Sequence, residues 1–321
     1  MFRFFFSVAC LAVAALGAGA AQAEYPDRPL RIVAPYPPGG ATDMLARVVA
    51  ERLHQAWGQP VVVENRPGAS GVIGAENVSR SEPDGYTMVV GAVSLHAILP
   101  SLLKNMHEAQ DRLAPVATLA NLPSYVVVPA NHPAKSIQDL IAMIKQDGTK
   151  YAYASAGMGT SQHVFPELFK QQAGIDMLHV PYKGSGAMIV DLLAERVDMV
   201  IEQGPAVLKH IEAGTLRALA ATTKERTREQ PDVPTLDETV LPGFEANTWF
   251  AVYVPKGTPP EVIRKLNEQI NRSLQQPEVV ERLSMHGAIP LLSTPEQLAE
   301  LEQRDTEKWL QVIKAGNISI D

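Results

Sequence analysis

A short apolar run, Leu30-Arg31-Ile32-Val33-Ala34, hands over to Pro35-Tyr36-Pro37-Pro38-Gly39-Gly40-Ala41-Thr42-Asp43, and a helical pattern begins at once. A strand that meets a helix through paired glycines commits this part of the chain to an α/β unit. The first-turn N–H groups of such a helix have no intrahelical partners. An anion placed there gains hydrogen bonds and the favourable end of the helix dipole. At the carboxyl end of the first strand, the turn reads as a cradle for a carboxylate or phosphate. A tight structural turn is the equally available reading. The Lys-Ser/Thr of a P-loop and the third glycine of a dinucleotide fingerprint are both missing.

Upstream, Met1 to Ala23 carries Arg3, then apolar and small residues, then Ala21-Gln22-Ala23. This has the form of a secretory leader, and it predicts cleavage after Ala23 and export of the mature protein. The stretch from Phe4 to Ala21 is near the lower length limit for a membrane span and ends in Ala and Gly, so cleavage is favoured over anchoring. Cys10 follows Ser7-Val8-Ala9 without the leucine of a lipobox. It is the single cysteine, so the mature chain is expected to have no disulfide and no thiol nucleophile or ligand. Of 28 Lys and Arg the leader takes only Arg3, which leaves 27 against 35 Asp and Glu, a net charge of −8. That balance argues against a nucleic-acid partner and against a basic membrane-surface helix. No later segment is long and apolar enough to span a bilayer, and 321 residues suggest two domains.

Strand and helix patterns alternate along the chain. Met44, Leu45, Val48, Val49, Leu53 and Trp57 share one helix side, which Gly58 ends. Val61-Val62-Val63 runs into the small-residue loop Glu64-Asn65-Arg66-Pro67-Gly68-Ala69-Ser70-Gly71. A strand from Tyr86 to Gly91 ends near Ser94. Val116–Leu119, Tyr125–Val128, Tyr151–Ala154, Met177–Val180, Val197–Ile201, Leu216–Ala221 and Trp249–Val254 read as further strands. Ser136 with Asp139 resembles a capping box, and Thr258–Glu261 and Thr294–Gln297 carry the same signature. Strands separated by helices predict mainly parallel sheets covered on both faces. Two further small-residue loops open helices at strand ends: Ser155-Ala156-Gly157-Met158-Gly159-Thr160-Ser161, and Pro181-Tyr182-Lys183-Gly184-Ser185-Gly186. If the first glycine loop and these two sit on different domains, a carboxylate-bearing ligand is held from both sides of a cleft.

These motifs, in this order, resemble the tripartite tricarboxylate transporter substrate-receptor family, also called Bug proteins. The resemblance is carried by Arg31 to Gly40 with Asp43, Asn65 to Gly71, Pro83-Asp84-Gly85-Tyr86, Ser155 to Ser161 with His163, and Pro181 to Gly184. Ile211 to Leu219, Val233-Pro234-Thr235, Pro242-Gly243-Phe244, Trp249-Phe250 and Pro255 to Pro259 complete it, so it covers essentially the whole mature chain. It implies a Venus flytrap similar to type II periplasmic binding proteins, with two α/β domains joined by a two-strand hinge. Domain 1 would be residues 24–123 plus 248–321, and domain 2 residues 124–247. It implies a monomeric receptor without cofactor, and delivery of a small carboxylate to two integral-membrane transporter subunits. The loops Pro38–Asp43 and Ser155–Ser161 would act as a pincer on the carboxylate, chiefly through backbone N–H groups and bound water.

The residues expected to line this site are Tyr36, Pro38, Gly39, Gly40, Ala41, Thr42, Asp43, Ala69, Ser70, Ser94, Ser155, Gly159, Thr160, Ser161, His163, Tyr182, Lys183, Gly184 and Gln203. Several have plain structural alternatives. Asp43 would repel a carboxylate, so a structural or water-positioning role is favoured. Tyr36 and Tyr182 shape walls, and His163 serves the ligand or the loop backbone equally well. Lys183 is either a ligand partner or a solvated lysine, and Trp249 packs at the hinge. One departure stands out: Ile201-Glu202-Gln203 occupies a place where the family more often has an apolar residue and a short polar one. An acidic Glu202 in the pocket would disfavour a second ligand carboxylate or pair with an amine, whereas pointing to solvent it would do neither. A hydrolase lacks support, since there is no G-x-S-x-G elbow, no H-E-x-x-H and no histidine spacing for a metal. A sensor, the same receptor delivering its ligand to a signalling membrane partner rather than to a transporter, is the remaining alternative.

Overall fold

The computed structural model describes residues 24–320. The leader and its cleavage site lie outside the described residues. The strands form two mixed sheets. The first has six strands in the order β11-β4-β10-β3-β1-β2, and the second has five in the order β7-β6-β8-β5-β9. In the first sheet, β1 (Leu30–Ala34), β2 (Val61–Asn65) and β3 (Thr87–Ala92) run parallel. They are joined by β4 (Leu113–Leu122), β10 (Thr248–Pro255) and β11 (Ile289–Pro290). The second contains β5 (Ser124–Pro129), β6 (Ala152–Ser155), β7 (Leu178–Pro181), β8 (Met199–Gln203) and β9 (Leu216–Ala221).

The expectation of mainly parallel sheets is corrected. β10 pairs antiparallel with β3 and β4, and β5 pairs antiparallel with β8 and β9. The physical reason is the crossing. β4 ends at Leu122 in one sheet and β5 begins at Ser124 in the other, while β10 enters the first sheet after the second is complete. A strand arriving from the opposite sheet starts at the end where its neighbours finish, so it runs against them. The same geometry aims the carboxyl ends of β1, β2 and β3 at the carboxyl ends of β6, β7 and β8.

Helices cover both sheets. α1 (Ala41–Trp57) buries Leu45, Val48, Val49 and Leu53 against the first sheet and stops at Gly58, whose φ of +71° is the left-handed closure glycine supplies without strain. α2 (Val72–Ser79) and α3 (Lys104–Gln110) follow, then α4 (Ile137–Gln146), whose Ser136–Asp139 capping box is formed in both directions. α5 (Ser161–Ala173), α6 (Ser185–Leu193) and α7 (Gly204–Glu212) each start at a strand end of the second sheet, and α8 (Leu236–Thr239) follows β9. α9 (Pro260–Leu274), α10 (Pro277–Ser284) and α11 (Pro295–Ala315) close the chain. The Thr294–Gln297 capping box on α11 is formed. The one read at Thr258–Glu261 is not: Thr258 donates to the Pro255 carbonyl (2.7 Å), the helix is capped one residue later by Pro259, and the capping spacing is lost.

α11 touches both halves. Its Asp305 accepts from Trp249 Nε1 (2.7 Å) and its Glu302 from the Tyr253 hydroxyl (2.7 Å), both on β10. On its other side Trp309 stacks on Phe165 of α5 with ring centroids 4.9 Å apart, and the Val312 carbonyl accepts from Gln171. One apolar core accordingly runs from Val33 and Val89 in the first sheet to Tyr153 and Ile201 in the second. Among the described residues, no helix is long and apolar enough to cross a membrane.

Candidate functional site

The first glycine loop is knitted to its neighbour loop by Asp43. Its carboxylate accepts from Gly39 N (3.0 Å), from Arg47 Nε (3.1 Å) and from Asn65 Nδ2 (3.0 Å), and Asn65 also donates to the Tyr36 carbonyl (3.1 Å). Burial opposes the charge, but the Arg47, Gly39 and Asn65 donors outweigh it and hold the Asp43 carboxyl below its ordinary range. Asp43 thus fastens the turn. Gly39 takes φ of +89°, whereas Gly40 is extended at −83°, with open space around a Cβ placed there. No hydrogen bond among the described residues takes up the N–H of Gly40, Ala41 or Thr42.

Tyr36 links this loop to the second. Its hydroxyl donates to the Ser70 carbonyl (3.0 Å), and burial raises its pKa, with Ser94 beside it working the other way. Ala69 and Ser70 both sit at positive φ, an unusual conformation for residues with a Cβ, and Ala69 is exposed. Ser94 is buried and opens a helical turn rather than ending the strand, which stops at Ala92.

On the facing side, Ser155 ends β6 and is fully buried; its Oγ lies 2.7 Å from His179 Nε2 and caps Gly157 N (3.2 Å). Gly159 N donates to His163 Nδ1 (3.2 Å), and the Thr160 hydroxyl donates to the Gly157 carbonyl (2.7 Å). His163 therefore serves the loop backbone. Burial lowers its pKa, and burial lowers that of His179 to about 3, helped by His163. The N–H groups of Met158, Ser161 and Gln162 make no hydrogen bond among the described residues. Gly159 has φ of +72° and sits so close to Leu99, Leu102 and Ile320 that a Cβ would come within 2.7 Å of two of them. The second loop thus rests against the first half of the molecule.

The third loop is laced to the second by Tyr182 N to the Ser155 carbonyl (2.9 Å) and Gly184 N to the Ala156 carbonyl (3.1 Å). The Tyr182 hydroxyl is spent on Asp191 (2.8 Å), while Lys183 is exposed. Gln203 bridges the halves, donating to Ser161 Oγ (3.1 Å) and to Thr248 Oγ1 at the start of β10 (3.1 Å). The structure therefore gathers the expected residues into two groups. Tyr36 to Asp43 come together with Ala69, Ser70 and Ser94. Ser155 to His163 come together with Tyr182 to Gly184 and Gln203.

Three contributors were not read from sequence. His179 lay inside a strand pattern and Gln162 between two noted residues, and neither carries a local signal. Glu202 was noted but not placed. It does not point to solvent, being 1% exposed, and Oε1 accepts from Gln162 Nε2 (2.9 Å) and Gln203 N (2.7 Å). Among the described residues, no group of three or more His, Cys, Asp and Glu is arranged to hold a metal ion.

Comparison with known proteins agrees with this architecture. Residues 45–318 match the family model described as tripartite tricarboxylate transporter family receptor. Protein BugT of Bordetella pertussis is 40% identical over 306 residues, 95% of this chain and 94% of that protein. Among solved structures, an R. palustris protein with adipate superposes with a TM-score of 0.85 at 34% identity, covering 92% of this chain and 99% of that one. MatC from Rhodopseudomonas palustris with bound malate superposes at 0.81 and 30% identity, covering 90% and 100%. The periplasmic binding protein BugD superposes at 0.81 and 32% identity, covering 92% and 99%.

Proposed function

This chain belongs to the tripartite tricarboxylate transporter receptor family, a family of solute-binding receptors rather than enzymes, and we propose that it captures a small carboxylate between its two domains in the periplasm. On this reading the bound receptor delivers its cargo to two integral-membrane subunits and works as a monomer, its leader removed after Ala23. Residues 24–123 with 248–321 move as one body and 124–247 as the other.

One observation carries the proposal. The loops Pro38–Thr42 and Met158–Gln162 each follow a strand of a different sheet, each opens a helix, and each has first-turn N–H groups that make no hydrogen bond among the described residues. Two such termini facing one cleft favour an anion from both sides. Of the side chains around them, Asp43 is committed to its loop and Tyr182 to Asp191. Backbone capture of this kind accepts many acids, and the adipate and malate of the two related structures are both dicarboxylates.

The test is a thermal-shift screen of the mature protein against a carboxylic-acid panel, with native mass spectrometry of each hit. A true ligand stabilises the native state by mass action, by about 2.7 kcal/mol at a hundredfold excess over Kd, and is recovered unchanged. A panel without any hit, or turnover of the hit, contradicts the proposal.

A further inference from the structure

Glu202 is the penultimate residue of β8, close to the point where three helices begin. Gln162 lies in the first turn of α5, Ser185 is the first residue of α6, and α7 follows directly at Gly204. The carboxyl is bonded unevenly. Gln162 Nε2 and Gln203 N converge on Oε1, and the Ser185 hydroxyl lies beside the carboxyl. Oε2 is buried and has no hydrogen-bond partner among the described residues. An ionised carboxylate spreads its charge over two acceptor oxygens, and leaving one buried and unbonded is costly. The neutral acid fits this pattern better: its carbonyl oxygen takes both donors and its hydroxyl is left as a donor.

The surroundings point the same way. Burial raises the Glu202 pKa, against smaller opposing effects from the Ser185 hydroxyl, Gln203 N and the Gln162 amide. No charged group from α5, α6, α7 or β5 contributes to the shift. Tyr125, cross-strand on β5, has its hydroxyl paired with the Thr227 hydroxyl (2.7 Å). Gln162 and Gln203 carry the connection onward, since both are bonded to Ser161 at the start of α5.

We propose that Glu202 is kept as the neutral carboxylic acid beneath the anion-binding loop and offers its Oε2–H as a hydrogen-bond donor for the ligand carboxylate. The inference rests on the carboxylate-receptor reading and specifies part of its site. It turns a residue that would repel an anion into one that holds it, and it makes capture weaken as the medium becomes alkaline.

The experiment compares wild type with Glu202→Gln and Glu202→Ala. The probes are malate and the dicarboxylates from malonate to adipate, titrated by calorimetry from pH 6 to pH 9. Infrared difference spectra of the ligand-free proteins report the protonated carboxyl separately, and circular dichroism checks folding. The amide of Glu202→Gln keeps an acceptor and a donor in the acid's places. Wild type should show a protonated-carboxyl band at pH 7 that Glu202→Gln lacks. The affinity of wild type should fall by up to about tenfold per pH unit above the Glu202 pKa. Glu202→Gln should bind like wild type at pH 6 with a flat pH profile, and folded Glu202→Ala should bind at least about tenfold more weakly, the loss of one strong hydrogen bond. Absence of the band, or a Glu202→Gln variant that loses the acids at every pH, overturns the assignment. A folded Glu202→Ala that binds like wild type overturns the donor role. If the band is present but no acid binds either protein, the receptor reading fails and the donor role with it, while the protonation stands.

Discussion

The imidazoles of His163 and His179 stack with ring centroids 4.0 Å apart and planes 9° from parallel, and between them they hold both ends of one loop. His179 meets Ser155 Oγ and His163 accepts from Gly159 N. Tyr153 extends the stack beyond His179 at 4.8 Å, and its hydroxyl donates to Glu167, which also takes Lys170. The Ser155–Ser161 loop therefore rests on a column of rings beside the second sheet.

That column predicts an acid sensitivity whose sign follows from the pKa directions. Both imidazoles titrate below the ordinary histidine value when folded, His179 at about 3. An unfolded histidine titrates near about 6.5, so below that pH the unfolded chain binds more protons. The stabilisation is complete above about 6.5 and is lost as the pH falls toward the folded values, at up to about 1.4 kcal/mol per unit for each ring. His163→Asn keeps an acceptor for Gly159 N and removes one titrating ring. Chemical denaturation at pH 7 and pH 5 should show a smaller loss in His163→Asn than in wild type. Equal losses would remove His163 from the acid response.

Asp43 predicts a separate effect on the first loop. Asp43→Ala leaves Gly39 N and Asn65 Nδ2 without their acceptor in a partly buried place, at a cost of about 1 kcal/mol. The lowered Asp43 pKa means its contribution is present above the ordinary aspartate range and disappears as the pH falls through the folded value. Denaturation of Asp43→Ala at pH 7 should show the deficit, and the gap to wild type should narrow near pH 2. A gap unchanged at pH 2 would mean the charge is not what fastens the loop.

Much of this was legible in the sequence, for reasons that differ by residue. Gly58 and the Ser136–Asp139 pair were readable because capping and closure are local chemistry. The glycine loops were readable because few residue types tolerate a strand-to-helix turn of this kind. The antiparallel entry of β10 was not, since it depends on which sheet the chain returns to. Nor was the placement of His179 or Glu202, because both lie on strands whose neighbours are more than 20 residues away in the chain. Thr258 misled for a local reason: its hydroxyl closes the turn before the helix instead of capping it.

The α11 clasp bears on motion. It packs on β10 through Trp249 and Tyr253 and on α5 through Phe165, so it ties the two halves together, and flytrap closure is the motion to test against it. Small-angle scattering of the mature protein should give a smaller radius of gyration at saturating ligand than without it. An unchanged radius would show a rigid pocket and would count against flytrap closure while leaving the fold intact.

The most direct measurement of the backbone pincer is calorimetry on Gly40→Val and Lys183→Ala with the tightest acid from the panel. Gly40 is extended, and a Cβ there meets nothing nearer than the Pro37 carbonyl at 4.0 Å, so the valine variant should fold normally. Its side chain would stand where the anion approaches the N–H groups of the first loop. Lys183 is exposed and has no fixed partner among the described residues. The account predicts that Gly40→Val loses binding by about a hundredfold or more, several backbone hydrogen bonds being blocked at once, while Lys183→Ala weakens it by no more than about 1–2 kcal/mol. A folded Gly40→Val that binds like wild type, together with a Lys183→Ala that no longer binds, would contradict it.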